Sequence, residues 1–191
     1  MEVKFKKLRD GVKMPSKATE GSVGYDLYVP QDTIIKKGRQ VLPLGFAMEF
    51  RAGYEAKIEP RSGYASKGMA GYEVRKGVPL AASGLEKALL SFRDTLLGEN
   101  PTDEDIEGLQ TYFATDESRF NADVLVGKID ADYRGEVGVI INNHGEPFQV
   151  KTGQRIAQMT FYEVEDVVFT EAEDLSDSER GDGGYGSSDV H

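Results

Sequence analysis

The chain has 191 residues, with 23 basic and 33 acidic side chains, a net charge of −10 and no cysteine. That length suits one domain with room for an insertion. Disulfides, thiolate metal sites and a cysteine nucleophile are excluded, and an acidic chain is poorly suited to sequence-independent binding along a nucleic-acid backbone. Its two histidines are His144 and His191. A Ser-His-Asp triad would have to use His144, no nucleophile-elbow sequence accompanies it, and it reads as a structural turn residue. No apolar run approaches the roughly 20 residues that cross a membrane, and the first ten residues lack the apolar centre of a signal peptide. The expectation is a soluble, intracellular protein.

In chain order, Val3, Phe5 and Leu8 mark a short first strand. Asp32 to Ile35, a turn at Lys36–Arg39, and a run from Val41 to Phe50 suggest two strands joined through Gly38. Arg51-Ala52-Gly53 makes another turn before the clean alternation of Tyr54 to Glu59. Val137 to Ile141 is a strongly apolar strand, residues 142–145 read as a turn, and Phe148–Val150 leads to a further strand at Ile156–Phe161. The 22 glycines punctuate short strands, as in a sandwich or barrel-like fold.

The middle of the chain has a different period. Ser83-Gly84-Leu85-Glu86 is a capping box, and Leu85, Ala88, Leu89, Phe92 and Leu96 follow helical spacing to Gly98. Thr102 to Asp105 starts a second such segment, with Ile106, Leu109 and Phe113 on one face. Residues 73–123 therefore read as a helical-hairpin insert between two β segments, 1–72 and 124–191. The insert carries 11 acidic and 5 basic residues, a net −6, and reads as a solvated decoration, an acidic docking surface or a lid. From Glu171 to the end, apolar residues are scarce and Asp, Glu, Ser and Gly dominate, so this tail is expected to be mobile when unliganded.

Five short segments carry chemistry. In Gly24-Tyr25-Asp26-Leu27, Asp26 reads as a surface carboxylate or as a group that helps hold Mg²⁺ through water. Pro60-Arg61-Ser62-Gly63 offers a guanidinium, a hydroxyl and an unobstructed backbone N–H, or is an ordinary turn. Residues 127–135, from Gly127 to Gly135, combine Asp130 as a possible base, Tyr133 as a flat ring and Arg134 as an anchor for an acid or a subunit contact. Gly153 to Gln158 opens a late strand, with Gln158 as a ladder side chain or a phosphate donor. In the tail, glycines at 181, 183, 184 and 186 can form an anion nest beside Arg180, Tyr185, Ser187 and Ser188. No P-loop sequence is present.

Together these segments, in this order, resemble the five motifs of the trimeric deoxyuridine triphosphatases (dUTPases). The resemblance implies a mainly β fold, a β jelly roll of the β-clip type, here with the helical insertion, and a homotrimer whose sites draw on all three copies. It implies hydrolysis of dUTP to dUMP and pyrophosphate with Mg²⁺, which limits uracil in DNA and supplies dUMP for thymidylate synthesis. By position, Asp130 would activate the attacking water and Tyr133 would pack on the deoxyribose. Arg61, Ser62, Gly63 and Gln158 would hold phosphates, and Asp26 would contact the hydrated Mg²⁺. The backbone from Val124 through Gly127, Lys128 and Ile129 would pair with uracil. Arg180 would reach the γ-phosphate, Tyr185 would stack on the base, and Gly186, Ser187 and Ser188 would close on the phosphates. Tyr185 stands where the family usually has phenylalanine, Val23 where alanine is usual, and Val124 where some members have asparagine. Two other readings are a dCTP deaminase of the same fold and a regulatory protein that binds a partner through the acidic insert.

Overall fold

The computed structural model describes residues 1–74, 117–179 and 181–182. Both expected helical segments, 83–98 and 102–113, lie outside the described residues. Those described form thirteen strands and one short helix. The strands are β1 (Val3–Lys7), β2 (Tyr25–Tyr28), β3 (Thr33–Ile35), β4 (Gly38–Pro43), β5 (Phe46–Phe50) and β6 (Tyr54–Glu59). After helix α1 (Ser62–Lys67) come β7 (Met69–Glu73), β8 (Glu117–Phe120), β9 (Ala122–Leu125), β10 (Gly127–Ile129), β11 (Gly138–Asn143), β12 (Phe148–Val150) and β13 (Arg155–Glu163).

These strands form four antiparallel sheets, ordered β1-β5, β10-β6-β13-β2, β4-β11-β9 and β3-β12-β7-β8. Period-2 alternation decides what each contributes to the interior. Ala56 and Ile58 of β6 and Val139 and Ile141 of β11 point inward, and their neighbours face outward. A bulge between Arg155 and Ala157 lets both Ile156 and Ala157 enter the core. The centre is filled by Phe46, Phe148, Leu27, Ile35, Leu44, Met69 and Ile156, each less than 2% exposed. Phe120 stacks on Phe148 at a centroid distance of 4.3 Å, joining β8 to the same core.

Four local expectations need correction. The run from Val41 to Phe50 is two strands rather than one. Gly45 has φ +76°, and a Cβ there would stand 2.5 Å from Val12, so the chain must break at this point and send β5 to pair with β1. Second, the segment after Pro60 is the short helix α1 and not a simple turn. Third, residues 117–123, which helical spacing had placed in the insert, belong to β8 and the start of β9. Glu117–Phe120 pairs antiparallel with Met69–Tyr72, and Ala122–Leu125 is β9. Fourth, the expected turn at 142–145 begins two residues later, because Asn142 and Asn143 are still in β11. The buried amide of Asn143 bonds the carbonyls of Ile35 and Glu146. No described helix is long and apolar enough to cross a membrane.

Candidate active site

Three strands place Asp26 (β2), Gln158 (β13) and Glu59 (β6) side by side, since Gln158 is the cross-strand partner of both others. Partners directly opposite project from the same face of a sheet. Here that face lines an open cleft of about 570 Å³, whose wall also includes Gly24, Arg61, Ser62, Gly63, Thr160 and Tyr162. Arg61, two residues past the end of β6, caps α1 in extended conformation, with its carbonyl accepting the N–H groups of Tyr64 and Ala65 at 2.8 and 3.0 Å. Ser62 and Gly63 follow it as exposed residues of the first turn, where backbone N–H groups have no partner within the helix.

Asp26 is only 6% exposed. Its Oδ1 accepts from Arg61 Nε at 2.9 Å and its Oδ2 from Arg155 Nη1 at 3.3 Å. Holding a guanidinium by its Nε sets the plane of the fork and leaves both Nη groups for another anion. Among the described residues those Nη groups of Arg61 make no hydrogen bond. Beside this cluster, Gln158 Nε2 donates to the Pro60 carbonyl at 3.2 Å. The buried Thr160 hydroxyl donates to Glu59 Oε2 at 2.9 Å. Arg155, Glu59, Thr160 and Tyr162 were not singled out by motif. The available signal was parity: Glu59 shares a face with Arg61, and Thr160 and Tyr162 share one with Gln158.

The segment from Gly127 to Gly135 forms a second group, away from the cleft. Among the described residues β10 pairs with β6 on one side only and is the end strand of its sheet, with its other edge open. Lys128 Nζ lies 2.7 Å from Glu55 Oε2, and this hydrogen bond is the main reason the Glu55 carboxyl is held below the usual carboxylate range. After Ile129 the chain turns, with Tyr133 N–H donating to the Asp130 carbonyl at 3.1 Å. The Asp130 side chain is exposed and accepts no hydrogen bond among the described residues. Tyr133 folds its ring across Gly135 and donates from its hydroxyl to the Glu136 carbonyl at 3.0 Å. Arg134 Nη1 bonds the carbonyls of Ala131 and Tyr133 at 2.7 and 3.1 Å, and its Nε lies 3.9 Å from Glu49. Lys4, and more weakly Arg134, holds the Glu49 carboxyl below its usual range.

Within one chain the two groups stay apart. Ile129 pairs with Ala56, five residues along from Arg61, a separation of roughly 16 Å at about 3.3 Å per residue. The structure therefore brings together Asp26, Arg61, Ser62, Gly63 and Gln158. Gly127, Lys128, Ile129, Asp130 and Tyr133 lie outside that cleft. Val124 is also outside it: its side chain is buried in the core and its backbone pairs with Ile141. Arg180, Tyr185, Gly186, Ser187 and Ser188 lie outside the described residues. Also among the described residues, no three acidic or imidazole groups cluster into a metal cage.

Comparison with known proteins places this geometry in context. The profile of the dUTPase family matches residues 10–75 and 117–189, leaving out 76–116. The deoxyuridine 5′-triphosphate nucleotidohydrolase of Helicobacter hepaticus is 32% identical, over 100% of this chain and 90% of its own length. That of Nautilia profundicola is 33% identical, over 98% of each chain. Among solved structures, the dUTPase of Staphylococcus bacteriophage 80alpha with dUpNHpp superposes with a TM-score of 0.67 at 20% identity, over 99% of both chains. A mutant dUTPase of phage phi11 of S. aureus, described for its coordination of a structural Mg(II) ion, gives a TM-score of 0.61 at 15% identity, over 92% of this chain and 99% of its own. At these identities the two superpositions speak for the fold.

Proposed function

This chain belongs to the dUTPase family and hydrolyses dUTP to dUMP and pyrophosphate, and from that premise we propose that its active site is assembled between copies of the chain in a homotrimer. The cleft beside Asp26, Gln158 and Glu59 takes the phosphates, and the segment ending in Asp130 and Tyr133 arrives from a second copy. One observation carries this reading. The proposed base follows Ile129, whose partner Ala56 stands five residues from Arg61, roughly 16 Å of extended chain, too far to act on one phosphorus from within a single chain.

In the assembled site Asp130 takes a proton from a water whose oxygen attacks the α-phosphorus in line. The bond from that phosphorus to the bridging oxygen breaks, and pyrophosphate leaves. Arg61 offers its two Nη groups to phosphate oxygens, and Ser62, Gly63 and Gln158 add neutral donors. Most of the acceleration comes from positioning and charge stabilisation, with the base contributing roughly 10²–10⁴-fold. Tyr133 packs on the deoxyribose and leaves no space for a 2′-hydroxyl. The open edge of β10, Gly127 to Ile129, reads uracil through backbone donors and acceptors. A mismatched base there leaves buried polar groups unpaired, at about 1–3 kcal/mol each. From the tail, Arg180 binds the γ-phosphate, Tyr185 stacks on the base, and Gly186, Ser187 and Ser188 close the site.

The family typically uses Mg²⁺. The residues of the cleft fit a cation held largely by substrate phosphates and water, since they offer single carboxylates and no protein cage. A divalent cation bound there would supply positive charge against the phosphate oxygens. The acidic span 76–116, which the family profile skips, supports a second role as a docking surface for a protein partner. Pull-down with the full chain and with that span removed tests it, and equal recovery from both removes the proposal. The main test is pyrophosphate release from each deoxynucleoside triphosphate with and without Mg²⁺. The expected result is release from dUTP alone, stimulated by the cation. Ammonia release from dCTP would instead favour the deaminase alternative.

A further inference from the structure

Between Ile129, the last ladder residue of β10, and Val137, the loop that carries Asp130 and Tyr133 is hydrogen-bonded largely to itself. Tyr133 N–H donates to the Asp130 carbonyl, and Arg134 donates to the carbonyls of Ala131 and Tyr133. Among the described residues its polar ties to the rest of the chain run through Arg134, whose Nε lies 3.9 Å from Glu49 Oε2, and through Glu136. Glu136 Oε1 accepts the N–H of buried Gly45 at 2.7 Å and a second bond from Arg9 Nη2. A buried N–H without an acceptor is costly, so this carboxylate is tied to the turn between β4 and β5. Arg9 lies across the same turn, its Cγ 3.0 Å from where a Cβ on Gly45 would stand. The backbone of Glu136 faces the other way. Its carbonyl accepts the Tyr133 hydroxyl at 3.0 Å, and Val137 N–H in the same peptide plane donates to the Phe46 carbonyl at 2.8 Å. Glu136 thus joins the tyrosine ring to the N-terminal segment. Arg9 lies just ahead of residues 10–75, the first stretch that the family profile matches.

We infer that Arg9 and Glu136 are positioning residues for Tyr133, and through it help to select a deoxyribose over a ribose. This rests on the reading that Tyr133 packs on the sugar. The ring excludes a 2′-hydroxyl only while the carbonyl that holds its own hydroxyl stays in place. Loosening that carbonyl by about 1 Å admits the extra oxygen.

Steady-state kcat/KM of the full-length protein for dUTP and for UTP tests this. Arg9→Met keeps an apolar stem over Gly45 but removes the guanidinium, and should lower the dUTP-to-UTP ratio about 10-fold. Glu136→Ala should lower it at least as much. Glu136→Gln should lower it less, because its amide oxygen still accepts the Gly45 N–H. If Glu136→Ala fails to fold, Arg9→Met decides the matter. A double-mutant cycle separates positioning from general loosening. Tyr133→Phe lacks the hydroxyl and should lower the ratio by itself, and adding Arg9→Met to it should change the ratio by less than about twofold. The inference is overturned if Arg9→Met or Tyr133→Phe keeps the wild-type ratio, or if the effect of Arg9→Met persists in full beside Tyr133→Phe. Tyr133→Ala tests the premise separately. A wild-type ratio in that variant would remove the sugar reading, and this inference with it.

Discussion

The ring of Tyr133 lies against Gly135 so closely that a Cβ at position 135 would stand 2.4 Å from the phenol oxygen. Glycine is therefore the residue that lets the ring fold back and reach the Glu136 carbonyl. Gly135→Ala should push the ring out of place and lower kcat/KM for dUTP by roughly 10-fold or more, because small misplacements at a positioning group are amplified in the rate. Discrimination against UTP should fall with it. Steady-state kinetics on both nucleotides checks this, and unchanged selectivity would detach Tyr133 from the sugar.

Asp130 presents a carboxylate with no hydrogen bond among the described residues, available to a water. Asp130→Asn should reduce kcat by roughly 10²–10⁴-fold while leaving dUpNHpp affinity within about threefold of wild type. Near-normal turnover in this variant would end its assignment as the base.

If the phosphate cleft and Asp130 come from different copies, two inactive variants can repair each other. Refolding Arg61→Ala together with Asp130→Asn in equal amounts should restore about a quarter of wild-type activity, since random assembly leaves that share of sites with both intact halves. Recovery should be absent when the two variants are mixed without unfolding. No recovery after co-refolding would place the whole site within one chain.

Acid should loosen β10 from β6. Lys128 holds the Glu55 carboxyl below its usual range in the folded protein, so the carboxylate contributes stability above its ordinary value of 4.5. That contribution disappears as pH falls through the lower folded value. Glu55→Gln should therefore be slightly less stable than wild type at pH 7, with the gap closing below about pH 4. Urea unfolding at pH 7 and pH 3 measures the difference.

Removal of residues 181–191 takes away Tyr185, Gly186, Ser187 and Ser188 but none of the core. The shortened chain should keep its thermal midpoint and its oligomeric state, and retain less than about a tenth of wild-type kcat/KM. Unchanged kinetics would exclude a closing role for the tail.

Much of the strand pattern was legible in the sequence because alternation is local. Tyr54–Glu59 reads correctly from its own six residues, and Ala56 and Ile58 are buried as their spacing requires. The break at Leu44–Gly45 was not legible, because it exists to let β5 meet β1, some forty residues earlier in the chain. The span 117–123 was assigned to the insert for a similar reason. Its four-residue strands are too short to declare a period, and pairing with β7 and β11 defines them.

For the site, motif identity and order were enough to name the family and the chemically able residues: Asp26, Arg61, Asp130, Tyr133 and Gln158. They could not say which of these share a cleft, what Asp26 is bonded to, or that Glu59 and Thr160 stand beside Gln158. Those facts depend on the register of β2, β13 and β6, strands up to about 130 residues apart in the chain. Side-chain parity is decided within a strand, by the pleat of a few neighbouring residues. Adjacency across strands is decided only when the common core has been packed.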